Sequence, residues 1–399
     1  MRYKEFADEW IISNISNAFT LLTNNSLSRD DLNYDCGCRK NIHYGDILTK
    51  YTTVKNITDN DVPYINDNIK ISNSSIKLIS GDIIVADTAE DYTVGKAIEI
   101  YDPNSLEIYS GLHTIPLRPK HKFAVGYLAY YFNSYNHKKR IFPLIQGIKV
   151  YSISKSALSS SIIKFPTLEE QDKIAQILIK LDARISTQKK IIEDIELLKK
   201  QLRNNIFTVY YSSFQPLKNL YIKGKAGGTP KTTNKEYYDG DIPFLSITDI
   251  TSSGKYIDNC LKNISKKGLE NSSAWIVPAG SLILSMYASV GLPCINKIEL
   301  ATSQAMFSMI LKKGINIDYI YEYLKYFKEN KLETYLEKGT QSNINSNIVE
   351  NILIPLPDEE KISKIVNILT SIDKKIDNEK SILQLYIKQK EYLLNKLFI

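Results

Sequence analysis

Apolar residues recur every three or four positions through Ile174, Ile177, Leu178, Leu181, Ile185, Ile192, Ile195, Leu202 and Ile206, the spacing of one long amphipathic helix. Pro166 opens the segment, and Thr167 can cap its first turn while Glu170, three residues on, reaches back as a capping box. With no internal proline or glycine, about 33 residues would extend ~50 Å. The large segments on either side read differently. They are rich in Ile, Tyr, Asn, Ser and Thr, with short apolar runs ended by Gly, Asn, Asp and Pro, which favours a mostly β or α+β domain.

The helical pattern occurs twice. Residues 166–207 align without a gap to residues 357–398 at a constant offset of 191, with 14 identities over 42 positions. Pro166 falls on Pro357, Glu169 on Glu360, Lys173 on Lys364, Asp182 on Asp373, Ile185 on Ile376 and Phe207 on Phe398. Asp358 can cap the second copy. The near-heptad spacing Leu178, Leu181, Ile185, Ile192, Ile195, with Gln188 between, asks for a coiled-coil partner, and the other copy supplies it. Packing is expected from Leu178, Leu181, Ile185, Ile192, Ile195 and Leu202 of the first copy, and from Leu369, Ile372, Ile376, Leu383 and Leu393 of the second. The first helix ends where a new domain begins, near Gln215-Pro216, so the copies should run antiparallel and one chain should imitate a symmetric dimer. Four segments follow: domains at 1–165 and 216–356, and helical spacers at 166–215 and 357–399.

The two domains resemble each other more faintly. Asn41-Ile42-His43-Tyr44-Gly45-Asp46-Ile47 stands opposite Pro243-Phe244-Leu245-Ser246-Ile247-Thr248-Asp249-Ile250. Gly81-Asp82-Ile83-Ile84 matches Gly280-Ser281-Leu282-Ile283, Tyr127-Leu128 matches Tyr323-Leu324, and Gly147 matches Gly339.

Composition narrows the function without naming it. The chain has 399 residues, 43% of them hydrophobic, and a mean hydropathy of −0.23, so a folded, multi-domain, cytoplasmic protein is expected. No apolar run approaches the ~18 to 20 residues that cross a bilayer. The net charge of +7 is spread along the chain, which suits a polyanion held over a wide footprint and many other proteins besides. Cys36 and Cys38 form a C-x-C pair without the second pair or histidines of a zinc site, and with Cys260 and Cys294 they read as thiols of a reducing compartment.

Taken together, the chain resembles the specificity subunit of type I restriction-modification systems. The likeness rests on the helical repeats with their leading Pro-x-x-Glu, on Asn25-Ser26-Leu27-Ser28-Arg29 followed by Ile42-His43-Tyr44-Gly45-Asp46-Ile47, on Gly227-Gly228-Thr229-Pro230, and on Gly339-Thr340-Gln341 ahead of Ile354-Pro355-Leu356-Pro357. It implies an α+β fold of two strand-rich target-recognition domains joined by two long helices in an antiparallel coiled coil with pseudo-two-fold symmetry. It also implies that each domain reads one half of an interrupted, asymmetric double-stranded DNA target, and that the helices set the gap. Two methyltransferase subunits would dock on the chain, and restriction subunits with translocase and nuclease activity would join through them. S-adenosylmethionine, ATP and Mg would belong to those partners, with no cofactor, metal or catalytic centre in this chain. The first copy has Gly147-Ile148-Lys149 where the second has Gly339-Thr340-Gln341, a departure that bears on any reading role for the glutamine.

Amides, hydroxyls and cations clustered in loops are the groups that pair with base edges and phosphates. In the first domain these are Asn25, Ser26, Ser28, Arg29, His43, Tyr44, Lys138, Lys139 and Arg140; in the second, Thr229, Lys231, Thr232, Ser246, Thr248, Ser303, Gln304, Gln341 and Asn343. His43 reads equally as a core histidine, Lys138-Lys139-Arg140 as a phosphate grip or a solvated helix end, and Gly227-Gly228-Thr229-Pro230 as a turn. Catalytic motifs are missing: there is no G-x-G-x-x-G, no G-x-x-x-x-G-K-[ST], no adjacent prolines, and the acids are scattered. A structural adaptor built on antiparallel helices, or a self-contained nuclease, are the alternatives from other classes.

Overall fold

A computed structural model describes residues 6, 8–58, 60–101, 106–209, 211–335 and 343–398. The chain divides into two compact units, Met1–Ile191 with Glu379–Ile399, and Ile192–Asn378. Each unit takes part of both long helices. Four helices organise the units: α1 (Tyr127–Asn133), α2 (Leu168–Thr208), α3 (Ile317–Asn330) and α4 (Glu359–Lys396).

The first unit is built on a five-stranded sheet in the order Phe19–Leu21, Thr114–Pro119, Ile83–Ala86, Ala97–Tyr101, Val54–Asn56, antiparallel except for its last pair. Successive side chains of a strand face opposite ways. Ile83 and Val85 accordingly enter a core with the α1 aromatics, while Ile84 and Ala86 enter a second core with Ile42 and Ile47. The second unit repeats this plan in Tyr221–Ala226, Met306–Leu311, Leu282–Ser285, Pro293–Asn296 and Tyr256–Ile257, again with only the last pair parallel. Gly81 and Gly280, at φ 90° and 80°, turn the chain into the equivalent strands Ile83–Ala86 and Leu282–Ser285, a backbone conformation that side chains disfavour. A four-stranded sheet accompanies each, and in both the strand that leads into the equivalent helix-capping residue, His43 or Ser246, pairs in parallel with a later one: Arg39–Ile42 with Glu107–Ser110, and Tyr238–Leu245 with Leu300–Thr302.

The long helices exceed the run their apolar pattern marks. Helix α2 has 41 residues and α4 has 38, α2 continuing to Thr208. Asp358 caps α4, its carboxylate accepting from Lys361 N at 2.8 Å. Leu178, Leu181, Ile192, Leu369 and Ile376 are buried, and Ile185, Ile195, Leu202, Ile372, Leu383 and Leu393 are half-buried.

Within the first unit the helices run antiparallel: Gln188 donates to Glu379, and Lys390 Nζ meets Asp182 Oδ1 at 2.6 Å. Within the second, Lys199 Nζ meets the two carboxylate oxygens of Asp373 at 2.7 and 2.8 Å. Asp182 and Asp373 correspond by the 191 offset, as do Lys199 and Lys390, so one contact is made twice. The helix ends repeat as well. Phe398 packs on Tyr127 and Tyr131 of α1 in the first unit, and Phe207 packs on Tyr319, Tyr323 and Tyr326 of α3 in the second.

Candidate nucleic-acid interface

Loops leaving the sheets converge in each unit, and three backbone hydrogen bonds stitch them in the same way. Asn25 N donates to Ser110 O (2.8 Å), Asp87 N to His113 O (3.1 Å) and Ile153 N to Asp87 O (2.9 Å); their counterparts are Gly228 N to Thr302 O (2.9 Å), Met286 N to Ala305 O (2.7 Å) and Ile344 N to Met286 O (3.1 Å). The backbone is common and the side chains differ: Asp87 stands for Met286, His113 for Ala305, and Ser26 for Thr229.

In the first unit the loop side chains form one connected cluster. Arg29 grips Asp46 through both terminal nitrogens, each at 2.9 Å, and the same nitrogens also meet Tyr34 Oη at 2.9 Å and His43 Nδ1 at 3.2 Å. All four terminal guanidinium hydrogens are spent, so Arg29 braces the loop and has no free fork for guanine. His43 follows strand Arg39–Ile42 and caps helix Tyr44–Thr49, its Nδ1 accepting from Gly45 N at 3.1 Å. Its ring lies 4.8 Å from that of Tyr44, whose other neighbour is His113 at 5.3 Å. Burial, with the Arg29 cation second, pushes the His43 pKa below the usual histidine value.

Several nominated residues hold loops together. Asn25 is 7% exposed; its amide donates to Asn41 Oδ1 at 2.8 Å and its oxygen accepts from Leu27 N at 3.1 Å, which removes it from the surface. Ser28 closes a capping box with Asp31, and Ser26 is exposed. The members of the Lys138-Lys139-Arg140 run differ in exposure and partners. Lys138 is largely buried, which lowers its pKa, Arg140 donates to Tyr131 Oη at 2.8 Å, and Lys139 is the exposed member.

In the second unit the two glycines of Gly227-Gly228-Thr229-Pro230 are required by close approach. A Cβ at Gly227 would lie 2.0 Å from Thr302 O, and one at Gly228 2.2 Å from Ser273 Oγ. This contact seats Thr229 so that its hydroxyl bonds Gln304 Oε1. Lys231, Thr232 and Thr248 are exposed, Asn343 is half-buried, and Ser303 Oγ accepts from Ala305 N at 3.3 Å. Ser246 caps its helix by accepting from Asp249 N at 3.4 Å and donates to Asp249 Oδ2 at 2.6 Å, which occupies its hydroxyl. Gln341 lies outside the described residues.

Sequence reasoning passed over three groups here. His113 has φ 56° and its Nδ1 lies 3.3 Å from Thr88 Oγ1 and 3.4 Å from Asp87 Oδ1. Lys155 Nζ donates to Asn24 Oδ1 at 2.8 Å. In the second unit Tyr287 is 43% exposed at the head of a turn whose Ala288 and Ser289 take φ 38° and 47°. Neither His113 nor Ala288-Ser289 carries the glycine that would signal such a backbone.

A second surface recurs. On the ribbon ahead of α2, Ile12 and Ile162 share one face through the pairs Ile12–Lys164 and Asn14–Ile162, and are 62% and 43% exposed. Phe214 and Leu353 share the matching face ahead of α4, at 45% and 51%. Ile177 and Ile368, equivalent positions of the long helices, are 40% and 49% exposed. Among the described residues no helix is long and apolar enough to cross a membrane, and no group of three metal-binding side chains gathers.

Comparison with known proteins agrees with this architecture. The family described as "Type I restriction modification DNA specificity domain" matches twice, at residues 23–197 and 216–385. The Type I restriction enzyme MjaIX specificity subunit of Methanocaldococcus jannaschii is 33% identical over 159 residues, covering 39% of this chain and 36% of that protein. The putative MjaX specificity subunit of the same organism is 26% identical over 374 residues, 87% of this chain and 85% of the relative. Among solved structures, the type I restriction-modification S subunit from M. genitalium superposes with a TM-score of 0.54 at 17% identity, covering 100% of this chain and 99% of its own. Another, titled for complex assembly and conformational transition of the type I R-M system, reaches 0.61 at 15% identity, with 99% of both chains covered. With the family's domain in both halves and its fold throughout, the chain belongs to the type I restriction-modification DNA specificity family.

Proposed function

We propose that this chain is the DNA sequence-recognition subunit of a type I restriction-modification complex, reading a bipartite, asymmetric target in double-stranded DNA and carrying no catalytic centre of its own. The observation that carries the reading is the common loop backbone with unlike side chains: three equivalent backbone bonds hold His113 and Asp87 in one unit where the other has Ala305 and Met286. Equal scaffolds with unequal reading groups suit two half-sites of different sequence, and base edges recur on one face of a duplex only once per turn, ~34 Å, which leaves unread bases between the halves.

The recurring apolar face supports the other half of the proposal. Large apolar residues exposed at matched positions, Ile12 with Phe214, Ile162 with Leu353 and Ile177 with Ile368, suit two copies of one partner protein, each covering one face. We assign these faces to methyltransferase subunits, through which translocase-nuclease subunits join. S-adenosylmethionine, ATP and Mg then act in the partners, in the cytoplasm. Co-expression with the partner methyltransferase, followed by methylome sequencing, should reveal a new split motif. A methylome unchanged by the chain would count against the reading.

A further inference from the structure

We propose that His43 is a specificity-determining residue of the first unit, a ring locked with its proton on Nε2 that offers one N–H donor to a hydrogen-bond acceptor on a major-groove purine edge. The inference deepens the recognition reading and rests on it. Its basis is the direction of two hydrogen bonds. A backbone N–H can only donate, and a guanidinium can only donate. Gly45 N at 3.1 Å and Arg29 Nη2 at 3.2 Å both point at His43 Nδ1, so that nitrogen holds a lone pair, and a neutral ring without a proton on Nδ1 carries it on Nε2.

The clasp is built to stay. Arg29 cannot swing away because Asp46, whose side chain is 8% exposed, holds both its terminal nitrogens. The Tyr44 ring packs 4.8 Å from that of His43, tilted 32°. A proton on Nδ1 would abut two donors in a half-buried place, which disfavours the charged ring, and burial first and the Arg29 cation second hold the His43 pKa below its usual value. Nε2, in contrast, has no hydrogen bond among the described residues and is not sealed inside them. A fixed neutral donor with a free direction is a reading group: guanine presents N7 and O6 as adjacent acceptors, and adenine presents N7. The second unit shows what is specific to the first. Its equivalent residue, Ser246, gives its hydroxyl to Asp249 and has no ring to extend.

Two measurements on the full-length protein decide this. With all histidines 15N-labelled, ring-nitrogen NMR at pH 7 should show His43 with unprotonated Nδ1 and protonated Nε2, the signals identified by their loss in His43→Ser. A protonated Nδ1 would overturn the assignment. In the assembled methyltransferase complex, His43→Ser keeps a capping oxygen and removes the donor. Its methylome should show one purine position of one half-site made degenerate, with roughly ten-fold or greater loss of discrimination there and the other half-site and gap unchanged. An unchanged motif, or a uniform loss across all sequences as a phosphate contact gives, would overturn the proposal. If His43→Ser does not assemble, His43→Asn, an equally good cap with a shorter reach, replaces it in the same comparison. A wild-type complex that writes no split motif would instead remove the recognition reading itself, and the NMR result would still report the ring.

Discussion

Gln188 and Glu379 stand 191 residues apart, the offset of the helical repeat, and they touch: the Gln188 amide donates to the Glu379 carboxylate and lies 3.3 Å from the Glu379 carbonyl oxygen. Two copies of one segment paired antiparallel place equivalent residues opposite each other only at the centre of the pairing, so this contact fixes the register of the helices. Both residues are 7% exposed, and the repeat differs in charge at this point, amide against carboxylate. Like charges here would be costly. Gln188→Glu should therefore destabilise the protein by roughly 1–3 kcal/mol at pH 8, with much of that recovered near pH 5 as one carboxyl takes up a proton. Urea denaturation at the two pH values checks it, and equal losses at both would speak against the contact.

The same helix contact is reinforced differently in each unit. In the first, Asp182 accepts from Tyr130 Oη at 2.8 Å; in the second, Lys199 and Arg203 share Glu322, at 2.7 and 3.4 Å, and Arg203 also binds Glu329 at 2.8 Å. Removing a member of a buried charge network leaves uncompensated charge, whereas losing one neutral hydroxyl does not. Glu322→Leu should cost about 3–5 kcal/mol. Tyr130→Phe should cost about 1 kcal/mol. Thermal or urea unfolding of the two variants compares them directly.

Two buried titratable groups of the first unit set opposing pH dependences. His137 is enclosed among Tyr131 and Phe132, neither ring nitrogen has a partner among the described residues, and burial lowers its pKa to about 3. The unfolded chain takes up this proton near pH 6.5 and the folded chain does not, so stability falls as pH drops below that value, by up to about 1.4 kcal/mol per pH unit. Glu99 is raised to about 7 by burial; its contribution is present below about pH 4.5 and is lost as pH rises toward 7. His137→Phe should flatten the acid side of the stability profile and Glu99→Gln the neutral side, as measured by urea midpoints from pH 5 to 7.5.

Much of the architecture was legible in the chain because helices repeat their chemistry locally. Leu178, Leu181 and Ile376 could be assigned to a buried seam from spacing alone, and Gly81 and Gly280 mark the same turn before the same strand. The reading residues were less legible because a polar side chain is defined by its partners. Arg29 looked free until Asp46, 17 residues later, occupied its fork, and Asn25 looked exposed until Asn41 met it. His113 and Tyr287 owe their places to positive-φ backbone or turns that no glycine announces.

Gly227 offers a test confined to one unit. Gly227→Ala forces a Cβ against Thr302 O, and the loop carrying Thr229 must move. A loss of about 1–3 kcal/mol is expected. In the assembled complex the half-site read by the second unit should blur while the other stays intact, as scored by methylome sequencing.

Whether one chain carries two independent reading heads is decided by exchange. The full chain is co-expressed with its methyltransferase partner, then re-expressed with residues 216–356 replaced by the corresponding segment of a relative, and both methylomes are sequenced. Two independent heads give a split, non-palindromic motif in which the exchange alters one half and preserves the other. A contiguous motif, or a change in both halves, would contradict it.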